Sequence, residues 1–207
     1  MSEAVAGIVL AAGASTRMGR NKLLLPIGGE PLLRRAVRRA LEAGLDPVAV
    51  VVGHEADRAR EALAGLACRI VPNPDHAQGQ PTSVRAGIRA VEAEAPAAVV
   101  LLADMPFVTA AMVSELVRRH RETGAPLVLS DYEGIQAPPT LYARALFPEL
   151  AAADGEGCSK RVIARHEREA VRVPWPAASL ADVDRPDDYE RAAAQTPAGE
   201  SECAPTS

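Results

Sequence analysis

Val5-Ala6-Gly7-Ile8-Val9-Leu10-Ala11-Ala12, followed at once by Gly13-Ala14-Ser15-Thr16-Arg17-Met18-Gly19, is the stretch that decides the fold. Eight apolar residues in a row read as a strand buried on both faces, as in a parallel sheet. The switch into small and hydroxylated residues reads as a loop at the strand's carboxyl end. Outward from it, further apolar runs fall at residues 48–52, 69–71, 97–103 and 126–129. Helical patterns separate them. Leu33, Val37 and Leu41, with Ala36 and Ala40, recur at i, i+3 and i+4. Arg34, Arg35, Arg38 and Arg39 fall on the other face, which reads as solvated, with Arg38 and Glu42 paired at i, i+4. Gly44 closes that helix. Helices also fit residues 56–63, 82–94 and 110–122, the last closed by Gly124.

Strict alternation of strand and helix implies right-handed crossovers. The expected fold is α/β: a three-layer α/β/α, Rossmann-like domain with a mostly parallel sheet. Beyond residue 131 the pattern becomes irregular. Residues 132–142 read as a loop and hairpin, 161–168 as a short helix, and 170–173 as a last strand. The expectation is one domain over 1–194 and a small, polar, disordered tail over 195–207.

Composition narrows the function classes. The 207 residues are 48% apolar and 3% aromatic, so the core must be built from Ala, Val, Leu and Ile. The net charge is −4 and the pI about 5.6, leaving no basic surplus for a nucleic-acid backbone. Cys68, Cys158 and Cys203 are scattered, without metal or disulfide spacing, and read as free thiols of a reducing cytoplasm. The first strand lacks a basic flank and is no signal peptide. No apolar run reaches transmembrane length. A soluble cytoplasmic protein is expected, with neither nucleic acid nor membrane as partner.

Ligands of open α/β sheets bind outside the carboxyl ends of the strands. A loop of Ala, Gly, Ser and Thr there lets backbone N–H groups approach an anion, and Arg17 and Lys22 add charge. It is neither GxxxxGK[ST] nor GxGxxG. By residues alone it is equally a small-residue turn with two surface cations. Asp104, after the strand at 97–103, stands where one carboxylate can reach a phosphate-borne Mg²⁺ or organise the turn before Pro106. Asn73-Pro74 and Gly79-Gln80-Pro81-Thr82-Ser83 precede a helix that Thr82 and Ser83 can cap. His76 reads as a solvated loop histidine. Asp182, Asp184, Asp187 and Asp188 suit a Pro-initiated helix start.

The segment LAAGASTRMGRNKLLLPIGGEPLL, residues 10–33, resembles the opening signature of the MobA-like nucleotidyltransferases, LAAGxSxRMGxxKLLLPxxGxPLL. The resemblance continues at intervals to Asp184-Arg185-Pro186-Asp187-Asp188 and is strongest toward the molybdenum cofactor cytidylyltransferase type. It implies that the backbone of Leu10, Ala11, Ala12 and Gly13 meets the base, with Asn73, Gly79 and Ser83 beside it. It implies that Arg17 and Lys22 bind the triphosphate, and that Asp104 and Asp184 hold Mg²⁺, or Mn²⁺ in its place. Arg17, Lys22 and Asp104 are the catalytic candidates.

The implied reaction moves CMP from CTP to the terminal phosphate of molybdenum-bearing molybdopterin, releasing pyrophosphate. Transient contact with a molybdenum hydroxylase or its chaperone would follow. Leu-Ala-Ala-Gly is the cytidylyl form, where guanylyl enzymes read Leu-Ala-Gly-Gly. The alternatives are a guanylyltransferase, a transferase acting on another phosphorylated acceptor, and a non-catalytic cofactor-delivery protein. The acceptor-facing part, expected at about 131–180, departs from the pattern. Residues 134–139 lack the relatives' Gly-His-Pro, and 155–160 replace Gly-Asp-x-Gly-Ala-Arg, leaving Lys160 as a candidate acceptor cation beside Cys158.

Overall fold

A computed structural model describes residues 4–13, 15, 18–155 and 157–196. The first strand, β1 (Ala6–Ala11), is buried on both faces along its whole length. Its Ala6, Ile8 and Leu10 join one core cluster, and Val9 and Ala11 the other. That alternation makes β1 the spine of a three-layer molecule, as expected from its unbroken apolar run.

After β1 come a small ribbon, β2 (Pro26–Ile27) and β3 (Glu30–Pro31), then α1 (Leu32–Glu42), β4 (Val48–Val52), α2 (Ala56–Ala62), β5 (Arg69–Pro72), α3 (Gln80–Val91), β6 (Ala97–Leu102) and α4 (Ala110–Thr123). The chain continues as β7 (Leu127–Tyr132), β8 (Ile135–Ala143), α5 (Phe147–Ala152), α6 (Cys158–His166), β9 (Ala170–Trp175) and α7 (Pro186–Gln195). The main sheet has the order β5-β4-β1-β6-β8-β7-β9. Only β8 runs antiparallel to its neighbours. The strands after β1 first build outward through β4 and β5, then return to β1's other side with β6. The chain therefore reverses direction between β1 and β6, the place where open α/β sheets bind ligands.

Leu33, Val37, Met112, Leu116 and Ala192 cover one face of the sheet; Val84, Ile88, Phe147, Leu150 and Val162 cover the other. Among the described residues, no helix is long and apolar enough to cross a membrane. Helix α3 lies close against the sheet at Gly87, where a Cβ would stand 2.3 Å from Ile8 Cγ2.

Two expectations need correction. Residues 132–142 are a hairpin, but most of the segment is the nine-residue β8, set between β6 and β7 inside the sheet. The expected acceptor-facing part at 131–180 therefore also supplies β8 and β9 to the main sheet, rather than being an irregular appendage. Pro138 and Pro139 lack N–H donors, and the β7–β8 register shifts between Leu129 and Ser130. Side chains take over there: the Ser130 hydroxyl donates to Pro139 O at 2.7 Å, and the Tyr132 hydroxyl to Pro138 O at 2.9 Å.

The arginine face of α1 is not simply solvated. Arg35 is buried and its Nε donates to Pro106 O at 3.4 Å. Arg34 donates to the Ala62 and Ala64 carbonyls. Arg38 does pair with Glu42, and with Glu30 as well. The helix grips its neighbours through guanidinium forks, which reach backbone acceptors that a shorter polar side chain could not.

Candidate active site

A cavity of about 400 Å³ opens at the carboxyl ends of β1 and β6. Its central wall is Leu10, Ala11, Ala12 and Gly13. Ala103 N–H donates to Leu10 O at 3.1 Å, carrying the β1–β6 ladder one step past β6. Asp104 is the next residue and therefore emerges at the cavity rim.

Lys22 reaches the same place from a 3-10 turn, Lys22–Leu24, whose first free N–H, on Leu23, is satisfied by the Asn21 side chain at 3.1 Å. Lys22 N–H donates to Ser15 Oγ at 3.2 Å. Ser15 stands at φ 51°, the left-handed conformation that folds the loop back on itself. Asp184 arrives from the far end of the chain. Buried Val183 donates its N–H to Asp104 O at 3.0 Å, which lays residue 184 beside residue 104. Asp188 Oδ2 then accepts the Arg185 and Asp184 N–H groups at 2.8 and 3.3 Å, which caps the start of α7.

These three routes converge on one contact. Lys22 Nζ lies 2.7 Å from Asp104 Oδ2 and 2.6 Å from Asp184 Oδ1. The lysine side chain is only 12% exposed. Burial works to lower its pKa, but the two carboxylates outweigh it and hold the ammonium above its ordinary value. Two carboxylates around one ammonium leave a net negative charge. Both touch a single cationic group, so a divalent cation could be held only in that group's place. Among the described residues no cluster of three or more His, Cys, Asp or Glu could hold a metal by itself. This donor set suits an ion that completes its shell with phosphate oxygens and water, as Mg²⁺ does.

The opposite wall comes from the β5–α3 connection. Gly79 and Ser83 line the cavity. Asn73 lies beneath it, buried: its Nδ2 donates to Thr82 Oγ1 and Ser83 Oγ at 2.9 and 3.0 Å, and its Oδ1 accepts the Asp75 N–H at 3.1 Å. Thr82 and Ser83 do not cap α3, whose N-cap is Gly79 at φ 105°. Their hydroxyls hold Asn73 instead. His76 is not a solvated loop residue. It lines the cavity and packs against Gly53, where a Cβ would meet its Cγ at 2.5 Å.

Arg17 lies outside the described residues, and so does most of the expected tail, residues 197–207. Lys160 is exposed on α6 and is not among the cavity's lining residues. Sequence reasoning missed Ser15, Leu23, His76, Gln80 and Leu102 in the wall. Leu102 was legible as the last residue before Ala103-Asp104. His76 carried no local signal, because Gly53, which makes room for it, is 23 positions away.

A cation-and-carboxylate cluster beside a small-residue loop, at the reversal point of a parallel sheet, defines a phosphate-handling α/β enzyme. The chain belongs to the MobA-like NTP transferase domain family, whose model matches residues 7–171, and it is a nucleotidyltransferase.

It is 31% identical over 196 residues to the purine catabolism protein PucB of Bacillus subtilis, covering 89% of this chain and 93% of that one. It is 32% identical over 201 residues to a probable molybdenum cofactor guanylyltransferase of Opitutus terrae, covering 92% and 95%. It is 28% identical over 183 residues to the molybdenum cofactor cytidylyltransferase of Escherichia coli, covering 88% and 92%. Among solved structures, Rv0371c of Mycobacterium tuberculosis, in complex with manganese, superposes with a TM-score of 0.78 at 27% identity, over 92% of this chain and 98% of that one.

Proposed function

We propose that the protein is a molybdenum cofactor cytidylyltransferase, moving CMP from CTP to the terminal phosphate of molybdenum-bearing molybdopterin. The observation that carries the reading is Lys22 seated between Asp104 and Asp184, at the rim of a cavity walled by the backbone of Leu10 to Gly13. The cytidylyltransferase of Escherichia coli supports the acceptor, and Leu-Ala-Ala-Gly supports the base.

An oxygen of the acceptor phosphate forms a bond to the α-phosphorus. The bond from that phosphorus to the oxygen bridging to the β-phosphorus breaks, and pyrophosphate leaves. The attacking phosphate is already ionised at neutral pH, so no general base is required. The protein's work is positioning and charge neutralisation. Lys22 would exchange its carboxylates for the triphosphate, joined by Arg17. Asp104 and Asp184 would hold Mg²⁺, with Mn²⁺ able to replace it, as the manganese complex of Rv0371c suggests. A bound divalent ion supplies Lewis-acid stabilisation of charge developing on the phosphate oxygens. Lys160 would supply an acceptor cation from α6, and the product would pass to a molybdenum hydroxylase or its chaperone.

The test is pyrophosphate release with CTP, GTP and ATP crossed with molybdenum cofactor. Release with CTP and the cofactor together is expected. Release with GTP alone among the nucleotides would overturn the cytidylyl assignment, and release only with a different phosphorylated acceptor would overturn the acceptor.

A further inference from the structure

The cavity is sorted by charge along the sheet. Its β6 side carries Lys22, Asp104 and Asp184; its β5 side, across β1, carries His76, Gly79, Gln80 and Ser83. No charged side chain stands among the described lining residues on that second side. A nucleoside triphosphate, if bound as proposed above, therefore lies with its phosphates over β6 and its base against the β5–α3 wall.

We propose that His76 is the residue that reads the base, with Nε2 accepting a hydrogen bond from an amino group on the base edge. This inference rests on the nucleotide reading of the site. The ring's placement is over-determined. On one side, Cβ and Cγ press on Gly53, where any Cβ would come within 2.7 and 2.5 Å of them. On another, Nδ1 lies 3.1 Å from Asn73 O. A carbonyl oxygen only accepts, so Nδ1 carries the hydrogen, and in the neutral ring Nε2 is left as the acceptor.

Asn73 cannot drift, because its side chain holds Thr82, Ser83 and Asp75 at once. With two sides of the imidazole committed, the edge that contributes to the cavity wall is the one bearing Nε2. Among the described residues Nε2 has no hydrogen-bond partner, and His76 makes no ion pair.

An acceptor fixed in this way distinguishes pyrimidines. Cytosine presents a 4-amino donor where uracil presents a 4-carbonyl, and two opposed acceptors cannot bond. A polar pairing held in place in this way discriminates, because the wrong base leaves both groups unsatisfied. Guanine also carries donors, so His76 sorts CTP from UTP rather than from GTP.

The experiment is calorimetric titration of the full-length protein with CTP and with UTP, each with Mg²⁺, for wild type, His76→Phe and His76→Ala. Wild type is expected to favour CTP at least tenfold. His76→Phe keeps a ring over Gly53 but has no acceptor; it should weaken CTP about tenfold, leave UTP binding within twofold, and bring the ratio near one. Equal loss of both nucleotides in both variants would reduce His76 to a structural support and overturn the inference. So would a wild-type ratio near one, while leaving nucleotidyl transfer intact. Failure of the wild type to bind either nucleotide would instead remove the proposed function itself, and this inference with it.

Discussion

Asp104 and Asp184 already hold a cation, and it is the protein's own. Lys22 Nζ stands within 2.7 Å of both carboxylates, so a metal ion entering between them must displace it. At 4 Å, two unit charges interact by about 4 kcal/mol at an effective dielectric of 20, before salt screening. The ammonium therefore opposes a bare metal until an anion draws it away, and in the proposed reaction that anion is the triphosphate. Metal and nucleotide are expected to bind together. Lys22→Met should bind Mn²⁺ roughly tenfold more tightly than wild type without nucleotide, measured by electron paramagnetic resonance, yet bind CTP more weakly. Mn²⁺ affinity unchanged or lowered in the variant would remove the displacement argument. Lys22 and the two aspartates were singled out through the family resemblance, since by residues alone each had an ordinary structural reading. What chain distance hid was how two side chains are held: Asn73, named by that resemblance, by hydroxyls on α3, and His76, read as a solvated loop histidine, against the bare Cα of Gly53.

Among the elements, β8 is where local signals mislead. Gly134, Pro138 and Pro139 are turn and breaker residues, and read locally they argue for a loop. The strand survives because its apolar half, from Thr140 to Tyr142, is buried between β6 and β7, and because Ser130 and Tyr132 bond the proline carbonyls. Helix α3, by contrast, was read from its periodicity, but its closeness to the sheet was not. Gly87→Ala would drive a methyl to 2.3 Å from Ile8 Cγ2, on a fully buried side chain of β1. Overpacking of this kind costs about 1–3 kcal/mol, readable as a lower urea midpoint. A loss below about 0.5 kcal/mol would mean the helix yields freely. The α5–α6 pair makes a pH-dependent contact. Hydrogen bonds from His166 and Arg165 hold the Glu149 carboxyl below its ordinary 4.5; hydrogen bonds to Glu149 and Glu169 raise His166 above its ordinary 6.5. The glutamate's contribution is present above 4.5 and lost as pH falls through its lowered value. The histidine's is full below 6.5 and lost as pH rises through its raised value. Amide exchange in α6 is therefore expected to be slowest, relative to a His166→Ala variant, between about pH 4.5 and 6.5. Equal exchange of the two proteins across that window would remove the staple.

At the scale of the whole molecule, the site is assembled from both ends of the chain. The loop after β1 supplies one part and the rim of β6 another, both inside the region the family model spans. Asp184 lies 13 residues beyond that region, past the last strand. What returns it is Val183, fully buried in the core shared by α1 and α4, with its N–H on Asp104 O. The Tyr189 hydroxyl donates to Pro26 O at 2.9 Å, tying α7 to the β2–β3 ribbon just after the Lys22 turn. Burial of one valine thus sets the spacing between two proposed metal ligands. Val183→Ala removes two methyl groups from that contact, at a cost of about 1–3 kcal/mol, and leaves both carboxylates chemically intact. If the strap only adds stability, any core truncation of equal cost should behave alike. Val91→Ala, at the end of α3 in the opposite cluster, is the matched control. Both variants should lower the urea midpoint. Only Val183→Ala should also weaken Mn²⁺ binding in the presence of CTP, by about fivefold or more, because only it lets Asp184 wander from Asp104. Equal metal affinity in the two variants would show that α7 and its Asp188 cap hold Asp184 without help from the core.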